Sequence, residues 1–266
     1  MTKKPFILIT NDDGFDAPGI KHLWHALADY ADLALVAPAT DQSGMSLGVT
    51  MRTPLQITQI SWERDTPAWK VSGTPADCVR MALSVLLERT PDFIVSGINR
   101  GANSGRVVLY SGTVGGVIEG VLRNIPGIAF SCCESDSLDY LRVEKYIQPV
   151  VSHLLDYPLP AGTLLNVNFP DTPEIKGFKM THQGKGYYIE DTEKRIHPEG
   201  YPYYWLSGKW SDHEEHEESD TALLKQGYAT AVPIHVNTLT DVEHLTQHKH
   251  LFDAALLSGE STFKGI

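Results

Sequence analysis

The sequence predicts an α/β fold with a Rossmann-like parallel-sheet core and helices on both faces of the sheet. Through the first 130 residues, short apolar runs alternate with stretches in which apolar residues recur at helical spacing. The apolar runs are continuous, which is typical of strands buried on both faces. With 266 residues, of which 42% are hydrophobic and 21% charged, the chain is long enough for a substantial core. We therefore expect βαβ units joined into one parallel sheet.

The elements of this pattern can be placed in order along the chain. Strands are predicted at residues 6–9, 33–37, 93–95, 128–130 and 164–169, and helices at about 20–27, 74–86, 114–122 and 138–156. The second helix has a clear start signal, with Thr74 as its cap, Pro75 at its first position and Asp77 in its first turn. Pro149 is expected to bend the last helix. The last strand alternates between apolar and polar residues, so we expect it to have one polar side.

After about residue 170 the pattern becomes irregular. This part of the chain contains strand-like pieces at 178–181 and 228–233, an aromatic cluster at 201–205 and an acidic run at 212–220. The aromatic cluster indicates core or subunit interface rather than a base-stacking platform, and the acidic run indicates an exposed loop. We predict one domain, residues 1–266, with a core at about 1–170. An extension at about 171–266 would contain hairpins that pair with another subunit.

The charge and composition of the chain exclude several classes of partner. Its 33 acidic and 22 basic side chains give a net charge of −11, which argues against a surface for long RNA or DNA. No apolar stretch approaches the roughly 18 residues of a membrane-spanning helix, and no signal-peptide pattern follows the N-terminal lysines. Three cysteines, two of them adjacent at Cys132 and Cys133, indicate reduced thiols. We therefore expect a cytoplasmic protein without a membrane partner.

The histidines are scattered and favour a solvated polar surface over a zinc site. The ones with ligand-like spacing are His213 and His216 in the acidic run and His244, His248 and His250 near the C-terminus. Spacings of three to four residues can bind zinc, but no cysteine or second pair completes a ligand set.

Four polar segments lie where a parallel sheet binds ligands, beyond the carboxyl ends of its strands. They cover residues 10–14, 39–44, 96–103 and 110–116. Asp12 and Asp13 leave a buried strand together, and two close carboxylates repel unless one protonates or a cation lies between them. Oxygen ligands suit Mg²⁺, Mn²⁺ or Ca²⁺, and Ser43 and Asn99 at equivalent edges strengthen this interpretation. The alternative is that Asp12 caps a helix and Asp13 closes a turn.

The segment around Ser111, Gly112 and Thr113 has the form of an anion cradle. Two hydroxyls flank a glycine where the N–H groups at the start of a helix point outward. The alternative is an ordinary hydroxyl cap followed by small residues that pack against the sheet. Nearby, Gly101 and Gly105, with Asn103 between them, form a loop that could approach a ligand closely. The chain has neither a P-loop string nor a Gly-x-Gly-x-x-Gly after its first strand, which disfavours a P-loop ATPase and a dinucleotide dehydrogenase.

Taken together, these segments closely resemble the survival protein SurE nucleotidases. The matching motifs are TNDDG at residues 10–14, GTPADCV at 73–79, VSGIN at 95–99, YSGTV at 110–114 and LNVN at 165–168. The resemblance runs in order from about residue 6 to residue 236. It implies a metal-dependent phosphatase that acts on nucleoside 5′- and 3′-monophosphates and, in some members, on short polyphosphate.

The resemblance also implies roles for individual residues. One divalent cation, Mg²⁺ or Mn²⁺, would be held by Asp12, Asp13, Ser43 and Asn99. The phosphate would be held by Asn103, Ser111, Gly112 and Thr113. Asp12 or Asp13 would also be catalytic, because an ionised aspartate can accept a proton from water. The family forms dimers or tetramers by exchanging C-terminal segments, so a homodimer or homotetramer with swapped segments is expected.

Two other functions compete with this interpretation. A phosphatase of the haloacid-dehalogenase type needs Asp-x-Asp after the first strand, which Asn11-Asp12-Asp13-Gly14 does not supply. The alternative outside the enzymes is a non-catalytic module that binds a nucleotide or phosphate together with a metal. Ala39 leaves room for it, because the SurE family usually has an aspartate at this position.

Overall fold

Nine strands form one sheet, and the strands predicted from the first half of the sequence lie at its centre. The computed structural model describes residues 4–133, 139–211 and 215–257. The strands are β1 Phe6–Thr10, β2 Asp32–Pro38, β3 Ile57–Gln59, β4 Ala68–Val71, β5 Phe93–Arg100, β6 Gly127–Cys132, β7 Thr163–Phe169, β8 Phe178–Met180, β9 Tyr187–Glu190, β10 Glu193–Ile196, β11 Pro202–Trp205, β12 Gly208–Ser211 and β13 Ala229–His235. The order in the large sheet is β3-β4-β2-β1-β5-β6-β7-β13-β8. The six strands from β4 to β7 in this order are parallel, and β3 and β13 pair antiparallel with their neighbours β4 and β7.

Helices cover both faces of this sheet. They are α1 Pro18–Leu27, α2 Pro75–Met81, α3 Gly112–Val121, α4 Leu141–Asp156, α5 Asp220–Lys225 and α6 Val242–Leu257. Ile7 and Ile9 belong to the apolar cluster under α1 and α4, whereas Leu8 between them belongs to the cluster under α2. Successive side chains of β1 thus point to opposite faces, and both faces are apolar. The arrangement confirms the predicted α/β core and explains why the first apolar run is continuous.

The start of α2 is built as its sequence predicts. Thr74 Oγ1 accepts a hydrogen bond from Asp77 N at 3.2 Å, and Asp77 Oδ2 accepts one from Thr74 N at 3.0 Å, which together form a capping box. Asp77 also accepts hydrogen bonds from the backbone N–H of Thr50 at 3.0 Å and from its hydroxyl at 2.6 Å. The buried carboxylate of Asp77 therefore fixes both the helix start and the loop at residue 50.

Several elements differ from the prediction. β3 and β4 were not expected, and residues 96–100, predicted as a loop, continue β5. The polar side of β7 is buried, and its Asn166 and Asn168 side chains are hydrogen-bonded to the backbone of Asn103. β8 and β13 belong to the large sheet, so the sheet extends well beyond the predicted core boundary near residue 170. Pro149 lies inside α4, which continues to Asp156, and the predicted helix start at residue 138 lies outside the described residues.

Strands β9 to β12 form a two-stranded arm that spans residues 187–211. β9 pairs antiparallel with β12, and β10 pairs antiparallel with β11, so the second pair continues the first. The Asp191 N–H donates to Ser207 O at 2.9 Å and joins the two pairs. Tyr201, Tyr204 and Trp205 of the predicted aromatic cluster lie in the outer half of this arm and are more than half exposed. The cluster is therefore not part of the core of this chain.

The C-terminal helix α6 has only exposed side chains among those described. His244 and His248 stack on each other along this helix, with ring centroids 4.3 Å apart. His213 lies outside the described residues. In the described parts of the chain, no helix combines the length and the apolar character needed to cross a membrane.

Candidate active site

A cleft of about 770 Å³ opens at the carboxyl edge of the parallel strands. Five of the predicted site residues line it: Asp12, Ser43, Asn99, Asn103 and Ser111. Asp13, Gly112 and Thr113 are not among its lining residues, but each of them contacts a residue that is. The fold thus brings together all four polar segments that the sequence places at strand ends.

Asp12 lies two residues after the end of β1 and is nearly inaccessible, with 3% of its surface exposed. The hydroxyl of Thr113 donates a hydrogen bond to Asp12 Oδ1, and the Thr113 backbone N–H also donates to this carboxylate. Burial raises the pKa of Asp12 above its ordinary value, and these two hydrogen bonds oppose that shift. Gln42 N donates to Asp12 O at 2.8 Å, which ties the segment after β2 to the end of β1.

Asp13 carries a second perturbed carboxyl group beside the first. Burial and, next in size, the charge of Asp12 raise the pKa of Asp13 to about 7. The Arg100 N–H at the end of β5 donates to Asp13 Oδ2 at 3.0 Å and partly opposes this rise. Both carboxyl groups are therefore costly to ionise together unless a positive charge lies near them.

The residues around this pair supply oxygen atoms that suit a hard cation. Asn99 Nδ2 donates to Gly101 O at 2.7 Å, so Oδ1 is the atom of this amide that could bind a cation. Ser43 is exposed at the rim of the cleft, and its N–H donates to Asp41 Oδ1 at 2.7 Å. In the described residues, no three His, Cys, Asp or Glu side chains gather as metal ligands. A cation at the aspartate pair would therefore complete its coordination with amide, hydroxyl or peptide oxygens, which fits Mg²⁺ or Mn²⁺.

Asn103 is held in place by a buried polar network that the sequence analysis did not assign. Its Nδ2 donates to Ser131 Oγ at 2.9 Å, and its backbone N–H donates to Asn168 Oδ1 at 2.7 Å. Its carbonyl accepts a hydrogen bond from Asn166 Nδ2 at 2.8 Å. The signal in the sequence was the polar side of β7, because two asparagines on a strand in the middle of a sheet need partners.

The start of α3 borders the cleft, but its predicted residues do not act alike. Ser111 Oγ accepts a hydrogen bond from Val114 N at 3.1 Å and caps the helix, while the side chain also lines the cleft. Thr113 directs its hydroxyl to Asp12. A Cβ on Gly112 would lie 2.8 Å from Asp12 Cβ, so only glycine allows this close approach. The helix start therefore supports Asp12 and also borders the cleft.

Asp220 joins the base of the arm to the wall of the cleft. It accepts hydrogen bonds from Gly105 N at 3.1 Å, Gly184 N at 2.7 Å and Gln183 Nε2 at 2.7 Å, and none of its surface is exposed. The prediction that the whole acidic run is an exposed loop is wrong at this residue. The carboxylate is buried because it satisfies backbone N–H groups of two loops. Residues 212–214 of the run lie outside the described part of the chain.

Comparison with known proteins places this chain among its relatives. Residues 7–190 match the family model described as survival protein SurE. The chain is 49% identical over 257 residues to a protein of Protochlamydia amoebophila named 5′-nucleotidase SurE, covering 95% of this chain and 98% of that protein. A protein of the same name from Moorella thermoacetica is 42% identical over 234 residues, covering 87% of this chain and 90% of that protein.

A solved structure has the same fold. The crystal structure of the SurE protein from Aquifex aeolicus superposes with a TM-score of 0.80 at 37% sequence identity, covering 94% of this chain and all of that one. Together with the family model and the relatives, this likeness shows that the chain belongs to the SurE family.

Proposed function

We propose that this protein is a phosphatase that hydrolyses nucleoside 5′-monophosphates and depends on one divalent cation, Mg²⁺ or Mn²⁺. The observation that carries the proposal is the adjacent carboxyl groups of the buried Asp12 and the partly buried Asp13, at the edge of a cleft bordered by the start of α3. The names of the SurE relatives point to the same reaction. Nucleoside 3′-monophosphates and short polyphosphate are further proposed substrates, because all of them present the same phosphate group to the cleft.

The cation would be held by Asp12, Asp13, Ser43 and Asn99. The pKa values of both Asp12 and Asp13 are raised, and a positive charge beside them would favour their ionised forms. When bound, a divalent cation screens the negative charge of a phosphate and lowers the pKa of water.

The protein's own groups would do the remaining work. The start of α3, with Ser111 at the cleft, would place N–H dipoles and a hydroxyl beside the phosphate oxygens. Asn103, fixed through Ser131 and the asparagines of β7, would hold another oxygen in a defined position. Asp12 or Asp13, ionised beside the cation, would accept the proton of water.

The test is phosphate release by metal-stripped protein reloaded with Mn²⁺. In Asp13→Asn, release from adenosine 5′-monophosphate should fall by orders of magnitude, while circular dichroism and the melting temperature stay close to wild type. Asp16→Asn is the matched control, since Asp16 is an exposed carboxylate that pairs with Lys70 outside the cleft. Wild-type turnover in Asp13→Asn would refute the assignment.

The same assay separates the enzyme from a binding module. Tight nucleotide binding by the wild-type protein without phosphate release from any nucleotide would replace the phosphatase by the non-catalytic alternative. In that case Ala39, which is exposed just after β2, is the first position to restore to aspartate.

We further propose that the arm and α6 take part in a homodimer or homotetramer. Both elements expose large apolar side chains, among them Tyr204, Trp205 and Phe252. Such exposed groups are typical of surfaces that a second subunit covers. Sedimentation velocity of the intact chain measures the assembly directly.

A further inference from the structure

The cleft has an aromatic and apolar part besides the polar residues around Asp12, which we call its polar end. This part is lined by the rings of Tyr188 and Trp210 and by the apolar side chains of Val107 and Leu224. Apolar and aromatic lining with a few polar groups at one end is typical of sites for small organic ligands. A volume of about 770 Å³ falls within the range of such sites.

The two rings form a built surface at the base of the arm. Tyr188 on β9 and Trp210 on β12 are directly paired in the strand register. Their ring centroids are 5.3 Å apart and the ring planes meet at 81°, an edge-to-face contact. Trp210 also packs closely on Gly186, where an added Cβ would lie 2.3 Å from Cζ2 of the indole. The indole is therefore held by both its strand partner and the backbone beneath it.

The same surface is joined to the polar end of the cleft. The Arg106 N–H donates to Gly186 O at 2.8 Å, directly beneath the indole. The buried Asp220 accepts hydrogen bonds from the N–H groups of both Gly105 and Gly184. The loop that carries Asn103 and the segment that leads into β9 and Tyr188 are thus tied to one carboxylate.

We propose that Tyr188 and Trp210 form the subsite for the base of a nucleotide. This inference rests on the proposed function, because it places the phosphate at the polar end. An aromatic surface binds purines and pyrimidines alike, since every base has a π face. The subsite therefore distinguishes nucleotides from sugar phosphates and other small phosphate esters without choosing strongly among bases.

Two substrates that differ only in the base test this subsite. For wild-type protein, kcat/KM for adenosine 5′-monophosphate should exceed that for ribose 5-phosphate by about 10- to 100-fold, the usual effect of one stacked base. Trp210→Ala should remove most of this difference by raising KM for the nucleotide, with ribose 5-phosphate little changed. Tyr188→Ala, at a side chain that is 56% exposed and therefore easily replaced, should act in the same direction.

The control is Trp205→Ala, an exposed tryptophan on the same arm that does not line the cleft. It should leave the ratio between the two substrates at its wild-type value. Equal losses for both substrates in Trp210→Ala and Tyr188→Ala, or a wild-type enzyme that does not distinguish the substrates, would overturn the subsite.

Adenosine binding separates this inference from the proposed function. Adenosine carries the base without the phosphate, so calorimetry should detect its binding whether or not the protein hydrolyses nucleotides. Binding that is lost in Trp210→Ala and kept in Trp205→Ala supports the subsite even if no phosphate is released. Adenosine that binds both variants equally refutes the subsite even if the phosphatase is confirmed.

Discussion

Replacing Thr113 by valine tests how the start of α3 supports the cation site. The change keeps the shape of the side chain but removes the hydroxyl that donates to Asp12 Oδ1. Since only 3% of Asp12 is exposed, water cannot take the place of that donor. A hydrogen bond to a charged group contributes about 1.5–3 kcal/mol, so the ionised carboxylate loses about this much. Because a cation binds the ionised form, its affinity should fall roughly 10- to 150-fold, as for other partners of metal ligands.

Calorimetric titration of Mn²⁺ into metal-stripped protein measures this effect. Thr113→Ser, which keeps the hydroxyl, is the matched control and should retain most of the affinity. Nucleotide KM is then measured at saturating Mn²⁺ for both variants. If Thr113→Val binds Mn²⁺ like wild type but has a higher KM, the hydroxyl contacts phosphate, as the family resemblance implies, and the reasoning from the Asp12 hydrogen bond is refuted.

Three further predictions concern other parts of the site and fold. Gly112→Ala should reduce turnover at least tenfold, because the new Cβ would lie 2.8 Å from Asp12 Cβ; unchanged kinetics would contradict this packing. Asp77→Ala should lower the free energy of unfolding, measured by urea denaturation, by roughly 3 kcal/mol. The change removes the helix cap and both hydrogen bonds from Thr50, and a loss below about 1 kcal/mol would contradict this network. Burial raises the pKa of the Cys133 thiol from 9.0 to about 11, so maleimide labelling below pH 9 should be about 100-fold slower than for an unperturbed thiol. The labelling rate should rise about tenfold per pH unit, and labelling at the rate of a free thiol would show that Cys133 is not shielded.

The central part of the fold could be predicted because its signals are local. Continuous apolar runs and helical spacing can be recognised within a single segment of the chain. The strands β1, β2, β5, β6 and β7 contain such runs and were predicted, with boundaries that differ by a few residues. β3 and β4 were not predicted because they are only three and four residues long, which is too short for a periodic pattern. The placement of β13 between β7 and β8 depends on pairing between distant segments, which no local pattern contains.

For the candidate site, the segments that meet could be predicted, but the contacts of their side chains could not. The sequence indicates which segments follow strands, and in a parallel sheet those segments meet at one edge. It does not indicate rotamers, so the hydroxyl of Thr113 could not be assigned to Asp12 rather than to a ligand. The acidic residues around Asp220 predicted an exposed loop. The carboxylate of Asp220 is instead buried among backbone N–H groups.

The arm consists of two segments in series, and this gives the chain a natural place for redesign. The inner pair, β9 and β12, carries the rings at the cleft, whereas the outer pair, β10 and β11, carries the exposed aromatic residues. The Asp191 N–H and Ser207 O are hydrogen-bonded across the boundary, so a short Asn-Gly turn can close the hairpin there. A chain shortened in this way keeps the two rings that line the cleft and loses the outer aromatic residues, so the proposed role of the arm in assembly can be tested apart from its role at the cleft.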